Sequence, residues 1–167
     1  MSSKRDEFES LVREHQSMVY GMAYNFLGDP PLAEEVAQEV FLALHHKLDT
    51  LETNEHLLFW LRRTTVHRSI DAARRRKRHR MISLEETPEP AVAGVTGDPW
   101  MEARLQRLVQ ALPEKPRMIM VLRYQEDLEP AEIAAVVGMP LATVKSHLQR
   151  SLAMLREKLT RCVGEYR

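Results

Sequence analysis

A stretch of 56 residues without proline or glycine, Leu32 to Thr87, is the feature that most constrains how this chain can fold. Because proline breaks helices and glycine destabilises their interiors, a stretch of this length favours helical structure. Five prolines and glycines then fall within residues 88–99, among acidic side chains. We therefore predict two modules, residues 1–81 and 101–167, joined by a flexible acidic linker over residues 82–100.

Apolar residues recur at helical spacing in both modules, and no segment alternates with the period of two that is typical of strands. In the first module one helix ends at Gly28, a second runs from about residue 30 to 48, and a third begins at Asn54 as its N-cap. The second module has four helical segments, residues 101–112, 114–124, 130–137 and 141–161. We predict an all-α fold, with an N-terminal bundle of three to four helices and a C-terminal helix-turn-helix domain.

The charge is balanced over the whole chain but not along it. There are 24 basic and 24 acidic residues, and the formal net charge is zero. Residues 1–61 carry a net charge of −7, residues 62–80 carry +8, residues 81–102 carry −5, and the remainder carries +4. Segregation of this kind favours a nucleic-acid partner, which the overall charge would not indicate.

Several function classes have little support in the sequence. The single cysteine, Cys162, excludes an internal disulfide and a cysteine-cluster metal site, and we expect it to act as a small apolar residue. His45, His46 and His56 lack convincing metal-ligand spacing, and no nucleophile motif is present. No apolar run is long enough to span a membrane, and the N-terminus lacks a signal peptide. We expect a cytoplasmic protein that is not an enzyme, with no cofactor, no metal and no membrane insertion.

Residues 130–151 match a helix-turn-helix. Ala134 is small where the two helices approach, and Gly138 stands at the turn, where a positive φ costs glycine little. Pro140 prevents the first helix from continuing, and Val144 anchors the second helix in the core. A plain helical hairpin with a solvated face would share this pattern, but the packing residues and the basic face together favour DNA binding. The second helix exposes side chains suited to phosphates and base edges, namely Thr143, Lys145, Ser146, His147, Gln149 and Arg150.

A basic run ends the third helix of the first module, where six of the seven residues 74–80 are Lys or Arg. Cations also stabilise helix C-termini, but six exceed what that role needs and repel one another without a polyanion. Just upstream, Trp60, Thr64, His67 and Asp71 share one helix face by their spacing. We expect Trp60 to belong more to the core than to a base-stacking site, and the polar members to be functional.

The second helix has an apolar stripe and an opposite, acidic face. A leucine in the middle of the acidic face indicates a protein-contact surface more than a solvated one. The residues of this face are Glu35, Gln38, Glu39, Leu42 and His46.

Taken together, three segments resemble the extracytoplasmic-function (ECF) sigma factors of bacterial RNA polymerase. They are LAEEVAQEVFLALHHKL, FWLRRTTVHRSIDAARRRKR and the C-terminal LPEKPRMIMVLRYQEDLEPAEIAAVVGMPLATVKSHLQRSLAMLREKL. The resemblance covers about residues 8–161. It implies a subunit that directs promoter-specific initiation, with core RNA polymerase (clamp helices and flap), promoter DNA (−35 duplex and −10 single strand) and an anti-sigma factor as partners.

The resemblance also implies residue roles. Residues 49–56 would capture a flipped −10 base, and the acidic linker would thread toward the polymerase active-site cleft. His67 stands where many members have Asn, His147 where many have Arg, and Pro130 where an aromatic is common. Polymerase docking falls on Glu35, Gln38, Glu39 and Leu42; the −10 contacts fall on Trp60, Arg63, Thr64, His67, Asp71, Arg74, Arg75, Arg76, Lys77 and Arg78; the −35 contacts fall on Thr143, Lys145, Ser146, His147, Gln149 and Arg150.

A stand-alone helix-turn-helix regulator is the alternative interpretation. It explains the helix-turn-helix and part of the basic run, but not the acidic face of the second helix. Such a regulator would be a dimer that binds a palindromic site, whereas a sigma factor would bind asymmetric DNA together with polymerase.

Overall fold

The computed structural model describes residues 3–83 and 99–164, which form seven α-helices and one short 3₁₀ turn without any strand. The all-α prediction is confirmed. The chain divides into two compact units near residue 89, and each is described by itself. Of the expected linker, residues 84–98 lie outside the described residues, while the flanking helices extend to Ser83 and from Pro99.

The first unit contains α1 (Lys4–Leu27), α2 (Pro30–Lys47), a 3₁₀ turn (Leu48–Thr50) and α3 (Asn54–Ser83). At the start of α1 the Ser3 hydroxyl accepts a hydrogen bond from the Arg5 amide, and α1 ends at Gly28 in the left-handed region, φ 65°. The Asp29 carboxylate then caps α2 by accepting from the Leu32 amide at 3.2 Å. One glycine and one aspartate thus turn the chain between two antiparallel helices.

The core of this unit lies between all three helices. Their fully buried side chains belong mainly to the predicted apolar stripes, although Phe8, Leu11 and Val12 at the start of α1 are half-buried. In α2, Ala37 and Phe41 are also half-buried. The apolar core includes Val19, Met22, Ala23, Tyr24, Phe26 and Leu27 of α1, Ala33, Val36, Val40 and Leu44 of α2, and Leu57, Leu61, Val66 and Ala72 of α3.

The start of α3 differs from the prediction. Asn54 is the first helical residue, and the cap is Thr53, whose hydroxyl accepts from the His56 amide at 3.1 Å. Thr and Asn both serve as N-caps, so residue type alone does not show which of the two adjacent residues, Thr53 or Asn54, is the cap. Residues 49–56 are therefore mostly helical: the 3₁₀ turn and the first turn of α3 leave residues 51–53 between them.

The second unit contains α4 (Pro99–Gln110), α5 (Glu114–Tyr124), α6 (Pro130–Val137) and α7 (Leu141–Gly164). Helices α5 and α6 have the predicted bounds, whereas α4 begins and ends two residues earlier than expected. Because residues 118–122 are all buried, α5 forms the centre of the unit. The other core side chains are Leu112, Leu128, Ile133, Val136, Val144, Leu148 and Leu155.

The turn between α6 and α7 has the predicted geometry. Gly138 adopts φ 70°, and its amide and that of Met139 both donate to the Ala134 carbonyl, at 3.0 and 3.1 Å. Val144 is fully buried, and Ala134 is half-buried. The helix-turn-helix packing expected from the sequence is therefore present.

Candidate nucleic-acid interfaces

Helix α3 separates into a buried face and an exposed face. Thr65, Ser69 and Ala72 are 0–1% exposed and pack into the bundle. Of the predicted functional stripe, Trp60 and Thr64 are half-buried, whereas His67 and Asp71 are exposed. The structure thus brings the stripe to one side of α3 and leaves its C-terminal half accessible.

An open, predominantly basic groove of about 710 Å³ runs along the exposed C-terminal part of α3 and is bordered by α2. Arginine and lysine heads in a groove of this kind suit a phosphate backbone. Arg68 lines the groove although the sequence prediction omitted it; its spacing of seven residues from Arg75 was the available signal. The lining residues are Glu39, Arg68, Asp71, Arg74, Arg75, Lys77, Arg78 and Met81.

Glu39 does not lie wholly on the outer face of α2. Its side chain is 28% exposed, and its carboxylate lies 3.8 Å from both the Arg68 and the Arg75 guanidinium groups of α3. Two half-exposed arginines therefore flank one carboxylate at the border of the groove. The ion pairs join the predicted docking helix to the predicted DNA-binding helix.

Arg76 is placed differently from its basic neighbours. Arg74, Lys77 and Arg78 are exposed, whereas the Arg76 side chain is 19% exposed. Its Nη1 donates to the Leu27 carbonyl at 2.7 Å and lies 3.9 Å from Oδ2 of Asp29. Burial and the neighbouring Arg80 lower the pKa of Arg76, and Asp29 opposes that shift. The Arg76 guanidinium faces the α1–α2 turn.

The rest of the predicted acidic face is accessible. Glu35 and Gln38 are exposed, and Leu42 is 65% exposed. Gln38 and Leu42 border a groove of about 830 Å³ between α1 and α2, which half-buried apolar side chains such as Phe41 also line. In the same groove, burial first and the nearby Glu34 second raise the pKa of Tyr20. A polar margin beside an apolar groove is typical of a protein-contact surface.

The N-terminal half of α7 presents the predicted recognition residues. Lys145, Gln149 and Arg150 are exposed, while Thr143, Ser146 and His147 are half-buried. Val144, Leu148 and Ser151 are buried on the opposite side and attach the helix to α5 and α6. This arrangement leaves one polar face of α7 available to a DNA groove.

Neither a metal site nor a membrane span is found in the parts of the chain that the structure describes. Within them, no three His, Cys, Asp or Glu side chains are grouped so that they could hold a metal ion. No described helix has the length and apolar character of a membrane-crossing segment. The side chain of Cys162 lies outside the described residues.

Two family models match the two units in order. Residues 11–79 match the model described as Sigma-70 region 2, and residues 102–155 match the model described as Sigma-70, region 4. The first match contains α2 and the basic part of α3 up to residue 79. The second contains the helix-turn-helix.

Relatives extend the likeness over nearly the whole chain. The RNA polymerase sigma-E factor of Streptomyces coelicolor is 32% identical over 92% of this chain and 86% of its own length. The ECF RNA polymerase sigma factor SigW of Bacillus subtilis is 27% identical over 93% of this chain and 90% of its own length.

A solved structure shows the same fold. It contains the sigma factor RpoE of Bartonella quintana in complex with the anti-sigma factor NepR, with a TM-score of 0.76 and 19% identity over 92% of this chain and 97% of the other. The matched regions, their order and these relatives together show that the chain belongs to the ECF sigma factors of RNA polymerase.

Proposed function

We propose that this sigma factor docks on core RNA polymerase with the outer face of α2, binds the −10 element with the exposed face of α3, and reads the −35 element with α7. The observation that carries the proposal is the division of α3. Its buried face, which includes Leu61 and Val66, holds it in the bundle, while its exposed face borders a basic groove beside the docking helix. Polymerase and the −10 strand could therefore be bound side by side.

At the −10 element the proposed phosphate contacts are Arg68, Arg74, Arg75, Lys77 and Arg78, with His67 and Asp71 next to them on the same helix. Exposed Arg63, with half-buried Trp60 and Thr64 beside it, continues the surface upstream, toward residues 49–56. Extruding a base costs a few kcal/mol, which binding of the unpaired strand must offset. Asp49 is held there by Lys4, with 2.8 Å between Oδ1 and Nζ, so the segment is tied to α1.

At the −35 element the N-terminal half of α7 would enter the major groove. Lys145 and Arg150 are suited to phosphates or guanine edges, and Gln149 to adenine. Thr143, Ser146 and His147 are half-buried beside them and would contact the backbone of the DNA. These contacts position the promoter relative to polymerase, and base edges supply sequence preference.

Docking would rest on Glu35, Gln38 and Leu42, with Glu39 at the border of the DNA groove. An exposed leucine surrounded by polar groups fits the centre of a small interface. The chain itself would perform no covalent chemistry, since strand opening needs binding energy alone, and polymerase would carry out catalysis. We therefore propose a non-enzymatic, cytoplasmic protein that requires neither metal nor cofactor.

An anti-sigma factor is the further partner that we propose. The Bartonella quintana sigma factor with the same fold was solved with one. The surfaces that an inhibitor would have to cover are the α2 face and the recognition face of α7.

Run-off transcription by purified bacterial core polymerase on a promoter library tests the proposal. We expect promoter-specific transcripts that require the protein and are lost in the double variant Glu35→Lys/Gln38→Ala. Glu7→Lys, a charge reversal at an exposed position of α1, serves as the control and should retain the transcripts. Absence of stimulation, together with tight binding of symmetric DNA by the protein alone, would instead support a dimeric regulator.

A further inference from the structure

One arginine within the basic run of α3 is turned away from the groove. Arg76 is 19% exposed at its side chain, against 49% for the adjacent Arg75. A cation that contacts phosphates needs its guanidinium at the surface, and this guanidinium is committed to main-chain and side-chain oxygens of the same unit. The position therefore needs a role other than phosphate binding.

The partners of Arg76 all belong to the α1–α2 turn. Leu27 is the last residue of α1, so its carbonyl has no acceptor role within the helix, and the Arg76 Nη1 donates to it at 2.7 Å. Asp29 caps α2 through Oδ1, and its Oδ2 lies 3.9 Å from the same nitrogen. Through one side chain, α3 is linked to the end of α1 and the beginning of α2.

Arg76 also completes the buried stripe of α3. Thr65, Ser69 and Ala72 precede it at steps of four, three and four residues, so all four side chains point into the bundle. Beyond Val66, the buried side chains of α3 in the described residues are small, and they offer little volume to fix the rotation of this part of the helix about its axis. A directional, charge-assisted hydrogen bond at the end of the stripe supplies that constraint.

We propose that Arg76 is a positioning residue of the −10 surface, one that holds the rotation of α3 so that His67, Asp71 and the exposed cations share one face. This inference rests on the proposed function of α3. It assigns to Arg76 sequence discrimination rather than general affinity for DNA, because rotation of the helix moves base-reading side chains away from their targets while the surface stays basic.

The test uses holoenzyme reconstituted with full-length protein. The DNA is a forked promoter whose single-stranded, non-template −10 element has either its intact sequence or a scrambled one, called the intact and the scrambled strand. For Arg76→Met we expect the preference for the intact strand to fall about tenfold or more, since small misplacements of contacting groups are costly. Affinity for core polymerase and the salt dependence of DNA binding should remain as in the wild-type protein. Arg76→Lys keeps a donor for the Leu27 carbonyl and should restore part of the preference.

Lys77→Met is the matched comparison, because it removes an exposed cation one residue away. It should weaken binding to both strands equally and reduce the salt slope by about 0.7. If Arg76→Met behaves in the same way, Arg76 is a phosphate contact and the inference is overturned. It is equally overturned if Arg76→Met weakens binding to core polymerase by the same factor as it lowers the preference for the intact strand. Full retention of that preference would overturn it too. A wild-type holoenzyme without preference for the intact strand would overturn the proposed function and the inference together.

Discussion

Glu39 on α2 lies 3.8 Å from Arg75 on α3, measured from Oε1 to Nη2, and its second oxygen is equally close to Arg68. The carboxylate thus neutralises part of the groove in which we place the −10 phosphates. Since a phosphate would approach the same two arginines, we expect Glu39 to compete with DNA in the free protein.

We therefore expect Glu39→Gln to raise the affinity of the isolated protein for single-stranded DNA by about two- to fivefold at low salt, the range that exposed ion pairs allow. Fluorescence anisotropy with a labelled oligonucleotide at several salt concentrations measures this change. Glu35→Gln is the control, because it removes the same charge one helical turn away from the groove. Equal effects of the two variants would show that total charge, and not the local pairing, determines affinity.

Leu42 provides the second prediction. Because it is 65% exposed, Leu42→Lys should leave stability unchanged yet weaken binding to core polymerase by about tenfold, as expected for a central interface residue. Ile82→Lys, which places the same charge at an apolar position that is 84% exposed on α3, is the comparison. Titration of labelled protein with core polymerase measures both. Unchanged affinity for Leu42→Lys would remove this leucine from the docking surface.

The third prediction concerns α7. Gln149→Ala should lower the affinity of holoenzyme for its preferred −35 sequence by about tenfold, because one good base contact contributes roughly 1–3 kcal/mol of discrimination. The affinity for the preferred sequence should then be closer to the affinity for substituted sequences. A selection from randomised −35 sequences measures the change in preference. Thr160→Ala, at an exposed position farther along the same helix, should keep the original preference. Loss of binding to all sequences alike would indicate a phosphate contact.

Two glycines provide the fourth prediction. Gly138→Ala should destabilise the second unit by about 1–2 kcal/mol, since φ is 70° there and an added Cβ meets no atom within 4 Å, which leaves backbone strain as the cause. Gly21→Ala also meets no atom within 4 Å, but it lies inside α1, so it should stabilise the first unit by about 0.5–1 kcal/mol. Native-state hydrogen exchange of amides in α6 and α1 reports each unit separately. Changes of the same sign would contradict the backbone argument.

Sequence periodicity predicted the helices and the helix-turn-helix because those features depend on local spacing. The Gly138 turn, the burial of Val144 and the bounds of α5 and α6 all follow from residues near one another in the chain. The pairing of Glu39 with Arg75 and the bond from Arg76 to Leu27 depend on how three helices pack. Six similar cations within seven residues give no local sign of which one turns inward, and Thr53 and Asn54 are chemically too alike to rank as caps.

The small side chains on the inner face of α3 have a consequence for how promoter preference can change. Thr65, Ser69 and Ala72 are fully buried in the bundle, where close-packed neighbours leave little room for added volume. A larger residue at any of these positions would push the helix outward and carry with it the side chains that we propose to face DNA. A sigma factor built in this way can acquire a new promoter repertoire through substitutions that never touch DNA.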